Sequence, residues 1–314
     1  MSKGTESAFD QSALALATSS TFDQSALPLG ALKPFRLFDM HCHCAFAPNA
    51  GQLVTDLAHA GVFACTGTVT PQDYLKACHA LALFHPQVGN LAIGLGCHPW
   101  WVGEDSPNSQ LTVEFSSLAP QARVISEVGL DFSGRHADTR HAQEQVFSLV
   151  CQVLAQERQA GRGKLVFLHM VKSSSALLGH LRRSGAVVSD AAAPCKSGRF
   201  ANWFVVHGFS GSRELAAELV RAGVYLSIGP RGLKSRKTRE AIAVVPTDRL
   251  LIETDAPAAQ GQVLQAEAQI GVLDTVVREC AQIRGVSQEE FAQVVGENSR
   301  RLLVDAGVLP GSCC

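Results

Sequence analysis

Charge is scarce in this chain of 314 residues: Asp, Glu, Lys and Arg together make up 18%. So low a share argues against a disordered polymer or a solvated coiled coil. The formal net charge is −1. No global basic field therefore announces tight non-specific nucleic-acid binding, and any affinity for a polyanion must be local. No uninterrupted apolar stretch is long enough to span a bilayer. Met1 to Asp10 is polar and lacks the apolar segment of a secretion signal. The expected location is the cytoplasm, and the ten cysteines are expected there as free thiols, not as a disulfide framework. Apolar residues are plentiful, at 46%, enough to core one large α/β domain or two average ones.

The first 33 residues stand apart, rich in Ser, Ala, Thr and Gln. FDQSAL occurs there twice, at Phe9–Leu14 and Phe22–Leu27. Two copies are too few for a solenoid, which needs at least about three. The expectation is a flexible N-terminal arm over 1–33, with docking of a protein partner as its alternative use, and one domain over 34–314.

From Pro34 the pattern becomes regular. Apolar or β-branched runs flanked by Gly, Pro, Asn or Asp predict strands over Phe35–His43, Gly61–Val69, Leu91–His98, Arg123–Asp131, Leu165–Val171, Trp203–Phe209, Gly223–Ile228 and Arg249–Asp255. Helices are predicted between them, most clearly over His141–Gln159, Ser212–Ala222 and Leu264–Ile283. Gly185–Arg199 fits neither pattern, although Ala186–Ser189 could add a short strand. Eight strands alternating with helices match a (β/α)8 TIM barrel. An open doubly wound sheet would not explain why candidate ligands end strands one, four, five, six and eight. A closed barrel gathers those ends around one mouth.

His41 and His43 stand two apart at the end of the first strand, so both face the same way and form a two-nitrogen pincer. Asp39, two residues earlier, is expected one layer deeper on that face, where it could orient a ligand. Cys42 and Cys44 would face oppositely and pack. Glu127 ends an apolar run, where a carboxylate needs a cation or a hydrogen-bond partner; a ligand bridging two metals is the reading favoured over a structural salt bridge. His169 and His207 end the runs LVFLHM and FVVHGF, and Asp255 lies in LLIETDAP with Glu253 two residues before it. Imidazole and carboxylate together suit Zn, Mn, Mg or Fe. Asp255 suits both metal ligation and removal of a proton from bound water. Asp131 and Arg135 follow Glu127, where substrate contacts would be made.

The stretches FDMHCHCAF, GLGCHPWW, ISEVGLDF, QEQVF, FLHM, VVHGFSGS, YLSIGP, DRLLIETDAP and ENSRRLL, in this order, resemble the TatD family of metal-dependent nucleases within the amidohydrolase-like barrels. The resemblance runs from about Phe38 to the C-terminus. It implies that His41, His43, Glu127 and Asp255 hold one divalent metal and that Glu127, His169 and His207 hold a second. It also implies that His98 sits near the mouth and could meet a substrate phosphate. The chain departs from the family in two places. Met170-Val171-Lys172 replaces a short Arg-Asp-Ala stretch, so that Lys172 stands in as a point charge or the contact is lost. Ala258–Leu264 replaces a Pro- and Asn-rich segment.

With two divalent cations about 3.5–4 Å apart, such a site can bind both the attacking and the leaving oxygen of a phosphodiester, with Asp255 as general base. Arg231, Lys234, Arg236, Lys237 and Arg239 follow the seventh strand, where barrel phosphate sites form; a solvated helix start is the alternative. Trp100 and Trp101 could stack an unpaired base or simply pack the third loop. The expected activity is hydrolysis of DNA, as an exonuclease on single-stranded ends, with two ions (Zn, Mg or Mn) as cofactors and no membrane association. The alternatives are a metal-dependent hydrolase of small esters, amides or phosphoesters, and a subunit of a larger assembly.

Overall fold

Eight strands, all parallel and hydrogen-bonded in sequence order, form the frame of the protein. They are β1 (Leu37–Cys42), β2 (Val62–Gly67), β3 (Leu91–Cys97), β4 (Val124–Asp131), β5 (Leu165–Val171), β6 (Trp203–Val206), β7 (Tyr225–Ile228) and β8 (Leu250–Ile252). The structure, a computed structural model, describes residues 35–82, 89–103, 109–186, 201–257 and 261–310. The FDQSAL copies, most of Gly185–Arg199, and Cys313 and Cys314 lie outside these residues.

Helices fill the crossovers. They are α1 (Ala50–His59), α2 (Pro71–Leu81), α3 (Gln110–Leu118), α4 (Arg140–Gln159), α5 (Ser174–Arg183), α6 (Arg213–Arg221), the short α7 (Pro230–Leu233), α8 (Arg236–Ile242), α9 (Ala266–Arg284) and α10 (Gln288–Asp305). Their ends follow local chemistry. The Thr70 and Ser287 hydroxyls accept the backbone N–H of the third residue of α2 and α10, Asp73 and Glu290, which replaces a bond the first turn cannot make. Gly285 stops α9 in the left-handed conformation, φ 69°, where a Cβ would be strained. Among the described residues no helix is long and apolar enough to cross a membrane.

Two apolar layers follow from the strand alternation. Outward residues such as Ile93, Leu95, Val128, Leu168 and Ile252 pack under the helices. Inward residues Phe38, Met40, Phe63, Cys65, Phe167, Val205, Tyr225 and Leu251 fill the barrel, where Leu302 and Leu303 of α10 join them. Each large inner side chain withdrawn from water contributes about 1.5–3 kcal/mol. This plug fills the lower barrel and leaves its upper end to polar side chains.

The last strands are shorter than their apolar runs suggest. Asp255 has φ 54°, a left-handed conformation that cannot continue a pleat. The chain turns there, and the barrel closes without a ladder. The Asp255 N–H donates to the His41 carbonyl at 2.9 Å, and the His43 N–H donates to the Ala256 carbonyl at 2.6 Å.

Register shifts interrupt β1 between Asp39 and Cys42 and β4 between Ile125 and Val128. Such a bulge breaks the period of two. In β1 it lets Met40 and His41 both face inward: Met40 joins the inner core, and the His41 ring lies 5.6 Å from Phe167 and is stacked on His207 at 4.0 Å. Asp39 therefore does not share the face of His41. Its carboxylate accepts the Thr254 N–H (2.9 Å), the Thr254 hydroxyl (2.6 Å) and the Gln269 amide of α9 (2.7 Å). Asp39 holds the segment just before Asp255 and does not orient a histidine.

Candidate metal centre

Glu127 is the hub of the barrel mouth. It is 4% exposed, and four imidazoles surround it. Oε1 lies 2.7 Å from His41 Nε2, 3.1 Å from His43 Nε2 and 3.5 Å from His207 Nε2. Oε2 lies 2.9 Å from His98 Nε2. Asp255 Oδ1 completes one side, at 3.4 Å from His43 Nε2 and 3.9 Å from His41 Nε2. The ligand atoms of His41, His43, Glu127 and Asp255 all lie within 4.8 Å of one another, as do those of His98, Glu127 and His169.

These groups reach the mouth because strand ends deliver them. His43 lies just past β1, where the Gly67 carbonyl of β2 sits 3.1 Å from its Nδ1. An Nδ1–H donated there turns Nε2 towards Glu127 and Asp255, so that Nε2 is the atom that would ligate once a cation displaces its proton. Gly67 faces the same space: a Cβ on it would meet the Ser126 hydroxyl at 2.8 Å and the His41 ring at 2.9 Å. The glycine is a requirement of the site, and the sequence alone does not disclose it.

The electrostatics follow from burial and the mixture of charges. Burial raises the cost of a charged Glu127, but the His43 and His207 rings and the hydrogen bonds from His41 and His43 hold its carboxyl well below the usual range. Burial opposes the charge on His43, yet Glu127 and Asp255 push it well above the ordinary imidazole value. Asp255 is held down to about 2: burial opposes the shift, and the hydrogen bond to His43 and the other imidazoles prevail. The acids thus stay ionised at neutral pH. Burial and the neighbouring His41 keep His207 neutral.

Two observations show that the donor set fits a divalent cation. Neither ring nitrogen of His207, nor Nδ1 of His41, has a hydrogen-bond partner, although all three atoms are buried. Buried polar atoms are rarely left so unless something else satisfies them. Ionised carboxylates and imidazoles at ligand spacing are the chemistry that Zn, Mn or Mg takes.

His98 plays a different part. Its Nδ1 accepts the Trp100 backbone N–H at 3.1 Å, and burial keeps the ring neutral. The ring proton must then sit on Nε2 and point at Glu127 Oε2. A nitrogen carrying a proton is not a metal ligand. His98 orients the carboxylate on which the other imidazoles converge. Asp131, expected as a loop residue touching substrate, is the last residue of β4 and is 2% exposed. Its Oδ2 accepts the Trp100 indole N–H at 2.7 Å and lies 3.2 Å from His169 Nε2. Asp131 and His169 stand on the neighbouring strands β4 and β5. Glu253 accepts the Gly208 N–H and lies 4.0 Å from His207 Nδ1.

The cationic candidates divide. Arg231 opens α7, largely exposed, with Nη1 3.9 Å from Asp255 Oδ2. Lys172 follows β5 with φ 53° and is exposed. Lys234 lines a groove between α7 and α9 together with Leu233, Val272 and Glu279. Arg236 pairs with Glu240, and Arg239 with Glu279 at 2.8 Å, so these two serve the helix surface. Cys42 and Cys44 are fully buried in the helix-facing layer.

Comparison with known proteins extends this picture. A family model described as TatD related DNase matches residues 38–304. The putative deoxyribonuclease TATDN3 of Mus musculus is 26% identical over 281 residues, covering 85% of this chain and 87% of that protein. The 3'-5' ssDNA/RNA exonuclease TatD of Pantoea vagans is 29% identical over 268 residues, covering 82% and 94%. Among solved structures, a TatD family hydrolase from Entamoeba histolytica superposes with a TM-score of 0.66 at 16% identity, covering 87% of this chain and 99% of that one.

Proposed function

The chain belongs to the TatD related DNase family and is a metal-dependent hydrolase of ester bonds, and from this we propose that it cleaves DNA as an exonuclease on single-stranded ends with two divalent cations. The observation that carries the reading is the double-faced Glu127 carboxylate. Its ligand atoms belong to two groups, the atoms of each within 4.8 Å of one another: one with His41, His43 and Asp255, the other with His98 and His169. A carboxylate so placed is suited to bridge two cations. Relatives described as 3'-5' ssDNA/RNA exonuclease support the substrate class.

In this reading His41, His43, Glu127 and Asp255 hold one ion, and Glu127, His169 and His207 hold the other. Bound there, the cations would polarise a phosphodiester oxygen and lower the pKa of an attacking water. Asp255, ionised and 23% exposed, faces the mouth and takes the water's proton. With Glu127 committed to the ions, His98 turns its Nε2–H to a phosphate oxygen. Arg231 neutralises phosphate from the rim, and Lys172 and Lys234 add charge along the path of the strand. Each such contact steepens the fall of affinity with salt. Asp131 holds His169 in place, as partners of ligating histidines commonly do.

The test is cleavage of a labelled single-stranded oligodeoxynucleotide, with elemental analysis of the same preparation. The native protein is expected to carry metal and to degrade the strand until a chelator is added. Glu127→Ala and Asp255→Ala are expected to abolish turnover. Cleavage retained in either variant, or in fully chelated protein, overturns the mechanism. Turnover of a small ester with no oligonucleotide cleaved would move the substrate assignment to small molecules.

A further inference from the structure

Two tryptophans stand exposed beside this mouth, and they are built differently. Trp100 and Trp101 are 54% and 61% exposed. Trp100 is fixed on two sides. Its indole N–H donates to buried Asp131 at 2.7 Å. The His136 ring stacks against it at 5.3 Å with an interplanar angle of 15°. Its ring centre lies 5.0 Å from that of His98 and 6.0 Å from that of His169. Trp101 has no side-chain partner among the described residues. An immobilised aromatic face loses little entropy on binding, whereas a free one must first be ordered.

We propose that Trp100, braced by His136 and Asp131, is a stacking platform for an unpaired nucleobase adjoining the scissile phosphate. The inference rests on the nuclease reading above and deepens it: the enzyme would grip a base next to the cut as well as the backbone. The geometry suits this. The platform adjoins His98 and His169, so a phosphate at Glu127 brings the neighbouring base over the indole. Stacking is indifferent to base identity, because every base has a π-face. A duplex keeps its bases stacked on one another, so the platform favours single strands and frayed ends.

Two substrates of equal length and charge test the proposal: oligodeoxythymidylate, and an oligomer in which every nucleotide is an abasic tetrahydrofuran analogue. The native enzyme is expected to favour the base-bearing strand in KM by about 5- to 150-fold, the range of one base–aromatic stack. In Trp100→Ala that preference should fall to within about twofold, while Trp100→Phe, which keeps a ring, retains most of it. Trp100 also braces Asp131 and hence His169, but a loss there slows both substrates equally and leaves the ratio unchanged. If Trp100→Ala does not fold, Trp100→Leu fills the space without a π-face and carries the same test. A native enzyme that cleaves both strands equally, or a Trp100→Ala that keeps the preference, overturns the platform and leaves the nuclease reading intact. A native enzyme that cleaves neither overturns the nuclease reading and the platform with it.

Discussion

Replacing Gly67 by Ala adds one carbon at the end of β2 and removes no candidate ligand. The added Cβ would lie 2.8 Å from the Ser126 hydroxyl, 2.9 Å from His41 Cε1 and 3.4 Å from His43 Cε1. Carbon atoms settle about 3.5 Å apart or more, so the His41 contact is short by roughly 0.6 Å. Ser126 can yield, because its hydroxyl has no hydrogen-bond partner to lose. His41 cannot yield freely: it is fully buried, stacked on His207 and 2.7 Å from Glu127. The imidazole must therefore move by several tenths of an ångström, away from the position that the other ligands share. Overpacking of this size costs about 1–3 kcal/mol of stability. A misplacement approaching 1 Å in a catalytic constellation costs on the order of 100-fold in rate, so a loss of about 10- to 100-fold is expected here. Thermal unfolding, elemental analysis and oligonucleotide cleavage on one preparation check all three effects. Wild-type metal content and rate in Gly67→Ala would refute the placement of His41 against β2.

Other outcomes follow from the same geometry. His98→Ala should keep the metal content of the native protein while its KM rises, whereas His43→Ala should lose metal; equal loss in both would make His98 a ligand. Asp39→Ala strands the Thr254 N–H, its hydroxyl and the Gln269 amide, at about 1–3 kcal/mol for each buried group left unpaired, so both the melting temperature and turnover should fall; an unchanged melting temperature would contradict the bond pattern. Burial pushes the thiols of Cys97, Cys151 and Cys280 up to about 12. The folded state keeps these protons where the unfolded chain, with thiol pKa about 8.5, releases them. Their stabilisation is complete below about pH 8.5 and lost as pH rises towards 12, at about 1.4 kcal/mol per unit for each. Lys164, lowered to about 8 by burial, works in the opposite sense between there and its ordinary value near 10.5, but three thiols outweigh one amine. Denaturant midpoints at pH 7.5 and pH 10 should show a net fall that Cys151→Ala lessens, and a flat profile would refute it.

Much of this was legible because ligands at strand ends interrupt apolar runs. The eight strands, and the convergence of His41, His43, Glu127, His169, His207 and Asp255, all follow from where the runs stop. What periodicity missed lies at its own breaks. Counting by twos put Asp39 beneath His41, but the bulge in β1 turned it outward onto Thr254 and Gln269. Counting placed Asp131 at the end of β4 but could not reveal that it meets His169, or that His98 reaches Glu127, because both contacts depend on how neighbouring strands are staggered. The basic run after β7 looked uniform in sequence. Only distance separates Arg231, near Asp255, from Arg236 and Arg239, which are engaged by glutamates on the helices.

The join between β8 and β1 has a consequence for biosynthesis. Asp39 and Thr254 stand 215 positions apart, and the pincer histidines sit beside that join. A nascent chain still on the ribosome, its eighth strand not yet translated, has neither the closing bonds nor Asp255. Its early histidines lack the Asp255 carboxylate and the closing bonds until that strand has been made, so the site is completed late in synthesis.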